Sequence, residues 1–239
     1  MKEIITEEIN EAISEPVRDT SPLFVDERYS TRLLIVRHGE SIANATHMFL
    51  GHTNVGLSER GHVQAKATAE YLKNEPISAI YSSDLIRAYD TARPNAEIRN
   101  IEIVPMRELR EIYIGKWENS KIEDIERDYG EEFTVGWRQN FGIFTPPEGE
   151  PVQEAAQRFF DAVLGIAKRH VGECVLITAH AAVIRAFYAK LIGVPPERTA
   201  SDVDFPYNAS VTTVYYDGES SWAANSRTTR ILSVFDPTG

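Results

Sequence analysis

Two short apolar runs constrain this chain more than any other feature. Leu33-Leu34-Ile35-Val36 and Cys174-Val175-Leu176-Ile177-Thr178 each read as a buried strand. Both stop in the same way. The first passes into Arg37-His38-Gly39-Glu40 and the second into Ala179-His180. A helix start follows each: Ser41-Ile42-Ala43-Asn44 in one case, and in the other Val183, Ile184, Phe187, Tyr188 and Leu191 at helical spacing, with Gly193 as a stop and Pro195-Pro196 beyond. Parallel strands that end at one sheet edge would bring His38 and His180 together across a crevice, where open α/β sheets bind anions. An imidazole there can take a phosphoryl group as nucleophile, while a second imidazole and arginines hold the remaining oxygens. Alone, Arg37 and His38 could be polar punctuation at a strand end. The repeated strand–His–helix pattern argues for function.

The other elements alternate in the same manner. Ser58 can cap a helix reaching about Lys73, and Ser78-Ala79-Ile80-Tyr81 is the next strand. Asp84 to Ala92 reads as a helix that ends before Pro94, with Arg87 in its first turn facing the sheet edge. Ile101-Glu102-Ile103-Val104 reads as a strand, and Val152, Ala155, Ala156, Phe159, Phe160, Val163, Leu164 and Ala167 form a wide apolar helix face closed by Gly172. Val211–Tyr216 and Arg230–Val234 are expected to form a hairpin at one edge. This alternation predicts an α/β fold, a three-layer α/β/α sandwich around a mainly parallel sheet. Between Trp117 and Glu150 lies a lid-like region whose aromatics, Trp117, Trp137, Phe141 and Phe144, either pack together or line a pocket; packing is the favoured reading.

Residues 1–30 differ from the rest and are read as an acidic extension, with a single domain over residues 31–239. The extension holds eight acids against three bases, so it carries −5 of the total charge of −11. Ile5, Ile9 and Ile13 predict a short amphipathic helix ended by Pro16, packed on the domain surface or frayed, with a homodimer contact as the alternative. The acidic balance argues against nucleic acid and anionic membranes as partners. Any phosphate site must therefore be a local positive spot. The single cysteine, Cys174, starts a strand and excludes an internal disulfide. No apolar stretch has the length of a bilayer span, so the expected location is the cytoplasm.

Five segments, in order, resemble the histidine phosphatase superfamily, the group that includes phosphoglycerate mutases and broad-specificity phosphatases. They are Arg37-His38-Gly39-Glu40-Ser41 with Asn44; Gly51-His52-Thr53-Asn54 through Leu57-Ser58-Glu59-Arg60-Gly61; Tyr81-Ser82-Ser83-Asp84-Leu85-Ile86-Arg87-Ala88; Leu109-Arg110-Glu111 with Gly115-Lys116-Trp117-Glu118; and His180 with Val183-Ile184-Arg185. The resemblance implies a phosphoglycerate mutase-like fold and a phosphomonoester phosphatase that needs no metal or other cofactor. It implies His38 as the nucleophile that becomes phosphohistidine. Arg37, Arg87 and His180 would bind the phosphate oxygens, and Asn44, Gly51, Thr53 and Ala181 would add substrate contacts. Glu111 would be the general acid and then the base that activates water. Glu108, three residues earlier, is the competitor for that role.

Several positions depart from the family pattern. Ala181-Ala182 stands where a glycine pair is usual, Asn54 where Asp is common, Asn119 where Gly is frequent, and Pro151 where Ser is common. Glu111 and His180 are 69 residues apart, which leaves little room for the helical insertion of the glycolytic mutases and resembles the phosphatase branch. The alternatives are a mutase-type phosphotransferase and a non-catalytic phosphate-binding module. His47, His52, His62 and His170 lack metal-ligand spacing and read as surface or loop residues, with His52 expected to face the pocket.

Overall fold

Along the first strand, side chains alternate between two hydrophobic clusters: Leu33 and Ile35 enter one, Leu34 and Val36 the other. A strand that feeds two cores must be covered on both faces. The computed structural model describes residues 30–218 and 222–225, and it contains a six-stranded sheet in the order β4-β3-β6-β1-β7-β8. The strands are β1 (Thr31–Arg37), β3 (Ile77–Ser83), β4 (Ile103–Met106), β6 (Cys174–Ala179), β7 (Val211–Tyr216) and β8 (Trp222–Asn225). β2 (Met48–Phe49) and β5 (Ser120–Lys121) pair apart from it. β4, β3, β6 and β1 are parallel; β7 runs antiparallel to β1 and β8 antiparallel to β7.

The helices are α1 (Ile42–Ala45), α2 (Glu59–Tyr71), α3 (Ile86–Arg99), α4 (Ile122–Glu131), α5 (Val152–Arg169), α6 (Ala181–Leu191) and α7 (Thr199–Asp202). α5 and α6 bury Phe159, Val163, Val183 and Phe187 against one face, with Ile35 and Ile177. Leu72, just after α2, and Ala92 and Ala96 of α3 pack with Ile80 and Leu176 on the other. This is the predicted α/β/α sandwich with a mainly parallel sheet.

Two expectations need correction. α3 does not stop before Pro94 but runs through it to Arg99. Ala88, Ala92 and Ala96 form a stripe with Thr91 and Asn95 that is buried on both sides of the proline. That packing offsets the single backbone bond the ring removes. The stop is Asn100, which takes left-handed angles of φ 53 and ψ 45. The edge hairpin pairs β7 with Trp222–Asn225, in the register Val214↔Ala224; Arg230–Val234 lies outside the described residues, as does the helical pattern around Ile5, Ile9 and Ile13.

Beyond α4, which is interrupted at Gly130 (φ 46, ψ −113), the chain makes a π-helical turn at Glu132–Gln139 and a tight turn at Phe141–Ile143. These turns close an aromatic cluster. Trp117 stacks on Phe144 at 5.4 Å and meets Phe133 edge-on at 5.4 Å, while Trp137 meets Phe141 edge-on at 5.0 Å. Packing is thus the role of Trp117, Phe141 and Phe144, whereas Trp137 also reaches a cavity described below.

The turn after β1 is seated on the start of α2. Ser58 N–H donates to the Glu40 carbonyl at 2.9 Å and its hydroxyl to Glu40 Oε1 at 2.7 Å. A Cβ added to Gly61 would lie 2.0 Å from the Glu40 carbonyl oxygen, and one on Gly39 would lie 2.6 Å from the Gly61 oxygen. Gly61→Ala must therefore push the turn off the helix. The expected outcome is a loss of about 1–3 kcal/mol of stability, the usual cost of overpacking, measured by urea unfolding; an unchanged midpoint would show that the turn can yield freely.

Candidate active site

The two histidines meet because of strand register. Arg37 of β1 is the register partner of Ala179 of β6, so His38 and His180 are the next residues on adjacent parallel strands. His38 N–H extends the ladder by donating to the Ala179 carbonyl at 2.9 Å. Neighbouring strands lie about 4.8 Å apart, and the two ring centroids are 5.2 Å apart at an interplanar angle of 60°. His38 Nδ1 is 2.6 Å from the Gly39 carbonyl oxygen. A carbonyl only accepts, so Nδ1 carries the proton and Nε2 keeps the free lone pair. His180 Nε2 pairs with Ser83 Oγ at 2.8 Å, from the strand on its other side, and its Nδ1 is buried without a partner.

Two arginines surround the pair. Arg37 donates through Nη1 to the Pro206 carbonyl at 2.7 Å, and its Nε is buried without a partner. Arg87, in the first turn of α3, donates to the carbonyls of Thr53 at 2.9 Å and Gly51 at 2.8 Å. Burial lowers both guanidinium groups to about 10, an effect opposed by the Glu111 charge. Burial, then the charges of Arg87 and Arg37, holds His38 well below the usual imidazole range; burial and Arg87 do the same for His180. Glu111 lies at the start of α6. Its Oε2 accepts the Ala182 N–H at 3.0 Å, and its Oε1 accepts those of Val183 and Ile112, each at 3.0 Å. A carboxylate, two guanidinium groups and two imidazoles thus converge at the carboxyl ends of β1 and β6.

A model of the histidine phosphatase superfamily (branch 1) matches residues 33–228. The chain belongs to that superfamily. It is 34% identical to phosphoserine phosphatase 1 of Hydrogenobacter thermophilus, over 68% of this chain and 77% of that protein. It is 33% identical to 2,3-bisphosphoglycerate-dependent phosphoglycerate mutase 2 of Gloeobacter violaceus, over 70% of this chain and 78% of that protein. Among solved structures it is similar to a mycobacterial glucosyl-3-phosphoglycerate phosphatase, with a TM-score of 0.74 and 28% identity, over 82% of this chain and 97% of the other.

In this histidine phosphatase, a cavity of about 370 Å³ opens above the site. Arg37, His38, Arg87, Glu111, Asn44 and Ala181 all line it. Asn44 Oδ1 is taken up by the Ser41 N–H at 3.1 Å and by Asn208 Nδ2 at 3.3 Å, leaving its amide nitrogen as the donor. Gly51 and Thr53 do not line the cavity: they lie behind Arg87, and only their carbonyls take part. His180 is fully buried behind His38 rather than in the wall. His52 also departs from expectation. Its Nε2 donates to the Glu111 carbonyl at 2.8 Å and its ring lies against Tyr113, facing a second groove, while His47 lines the cavity instead. Glu108 is exposed on the turn Arg107–Leu109, and Glu111 is the acid that reaches the cavity. Among the described residues, no group of three or more His, Cys, Asp or Glu side chains could hold a metal ion, and no helix is long and apolar enough to cross a membrane.

Sequence reasoning missed Ser83, which holds His180, and Asn208, which donates to the His38 carbonyl at 3.0 Å. Ser83 carried a signal, because a polar run, Ser82-Ser83-Asp84, ends a third apolar strand at the same edge. Asn208 carried none.

The depressed imidazoles tie stability to pH. The unfolded chain titrates at about pH 6.5 and the folded one well below, so on acidification the unfolded state takes up protons first. Stability should fall as the pH drops below about 6.5 and recover above it. His180→Gln removes part of that linkage, so the wild-type minus variant difference in unfolding midpoint should shrink on acidification from pH 7 to 5. A constant difference would mean that His180 is not held neutral.

Proposed function

We propose that the protein is a phosphomonoester phosphatase that works through a phosphohistidine on His38. The class of enzyme, a phosphoric monoester hydrolase, follows from the family and from its named phosphatase relatives. The observation that carries the finer reading is the pinned tautomer of His38: with Nδ1–H tied to Gly39, the Nε2 lone pair is available beside two cations. The unpartnered Arg37 Nε is a buried donor on a residue that lines the cavity, and phosphate oxygens are acceptors of the right kind.

In the first half-reaction, Nε2 attacks phosphorus, the P–N bond forms and the bond to the leaving oxygen breaks. Arg37 and Arg87 hold the phosphoryl oxygens as charge shifts onto them. Glu111, in its protonated form, gives its proton to the leaving oxygen. In the second half-reaction the Glu111 carboxylate takes a proton from water, the water oxygen bonds to phosphorus and the P–N bond breaks. Inorganic phosphate leaves and His38 regains its lone pair.

The cavity walls favour hydrolysis over transfer between phosphoglycerates. Phe49, Ile114, Ile122, Trp137 and Phe205 offer apolar surface to the organic part. Among the described residues, the lining includes no Lys or Arg besides Arg37 and Arg87 to meet a second anionic group.

Alkaline quenching of the enzyme with a labelled monoester should trap base-stable label on wild type and none on His38→Ala; label on another side chain would overturn the assignment. Glu111→Gln should lower kcat on alkyl phosphates by about 10²–10⁴. On p-nitrophenyl phosphate, whose leaving group needs little protonation, the same variant should give a burst of nitrophenolate followed by slow turnover. Equal losses on both substrates, without a burst, would remove Glu111 from the proton-transfer role.

A further inference from the structure

Arg87 is buried, yet among the described residues it makes no hydrogen bond to a carboxylate; its guanidinium is held by two backbone carbonyls, those of Gly51 and Thr53. Peptide carbonyls fix a side chain only if the backbone that carries them is itself fixed. Residues 51–53 belong to no helix or strand, so their rigidity must come from elsewhere. It comes from Glu118. Its Oε1 accepts the His52 N–H at 2.6 Å, and its Oε2 accepts the Thr53 N–H at 2.9 Å and the Thr53 hydroxyl at 2.6 Å. The far side of the loop is closed as well. A Cβ on Gly51 would lie 2.3 Å from Glu118 Oε1 and 2.4 Å from the Ile112 carbonyl oxygen. Glu118 itself does not line the cavity.

We infer that Glu118 is a positioning residue for the phosphate site, ordering residues 51–53 so that their carbonyls aim Arg87 at the substrate. The same strap reaches the other side of the site, because the His52 ring donates to the carbonyl of Glu111. One half-buried carboxylate therefore sets the separation between the phosphate clamp and the acid. Three donors meet two oxygens at this point, and a Gln side chain cannot replace them. Its NH₂ would face at least one backbone N–H, and an N–H cannot turn round to accept.

The inference rests on the phosphatase reading, and the test separates the two. Inorganic phosphate, which needs no turnover, serves as probe; its affinity for the full-length chain is measured by calorimetry. Wild type, Glu118→Gln, Arg87→Lys and the double variant form a cycle. Glu118→Gln is expected to weaken phosphate binding on the order of tenfold to a hundredfold, the scale of a small misplacement of a binding group. Once Arg87 is Lys, Glu118→Gln should cost little more, because the fork that the strap aims is gone. The inference is overturned if Glu118→Gln leaves phosphate affinity unchanged, or weakens it by the same factor in both backgrounds. Thr53→Val, which removes only the hydroxyl contact, runs the same cycle should Glu118→Gln fail to fold. Its loss should be smaller but equally dependent on Arg87, and equal factors in both backgrounds would again overturn the inference. A wild-type protein that neither binds phosphate nor releases it from any monoester would overturn the phosphatase reading itself, and this inference with it.

Discussion

The parallel pairing of β1 with β6 is the constraint on which the site depends. With Arg37 opposite Ala179, the next residue on each strand is a histidine, and the strand spacing sets the distance between the rings. No side-chain choice could achieve this if the pairing slipped, because a shift of one residue turns every side chain to the other face. The pairing is well determined by its surroundings. Leu33 and Ile35 are committed to one core, and Leu34 and Val36 to the other.

The second constraint is electrostatic. On a chain with a net charge of −11, two buried guanidinium groups face two imidazoles held neutral and one carboxylate. The positive charge is local. The costs of this arrangement are spread over neighbours: carbonyls of Gly51, Thr53 and Pro206 meet the arginines, and three backbone amides meet Glu111. The free energy of holding cations out of water is spent within the folded domain before any ligand arrives, which is the sense in which such a site is preorganised.

Much of this was legible in the sequence, and the misses share one cause. Continuous apolar runs ending in histidine gave the strands, their edge and the residues that meet there. Pro94 misled because local propensity says nothing about a buried alanine stripe continuing past it. Gly51 and Thr53 were assigned to the right neighbourhood, but their carbonyls meet Arg87 and neither residue lines the cavity, since a motif names positions and not which atoms point inward. The exchange of His47 and His52 has the same origin. Whether a loop histidine faces the cavity or its rear wall is decided by tertiary contacts such as the Glu111 carbonyl, over a separation of 59 residues. The departures were better behaved. Asn119 takes the left-handed conformation that Asn tolerates, at φ 58, and Asn54 accepts the Ile86 N–H at the start of α3 at 2.8 Å.

The short bond between His38 Nδ1 and the Gly39 oxygen also settles a matter of isomerism. A histidine ring has two sites for phosphorylation, and free imidazole gives a mixture of products. Here the proximal nitrogen is tied to the peptide next door, so on the proposed mechanism only the distal one is modified and the adduct is the tele isomer. Turning the ring over would leave the oxygen of a buried residue without this donor. On that mechanism the backbone acts as a protecting group, one built into the chain at the residue following His38.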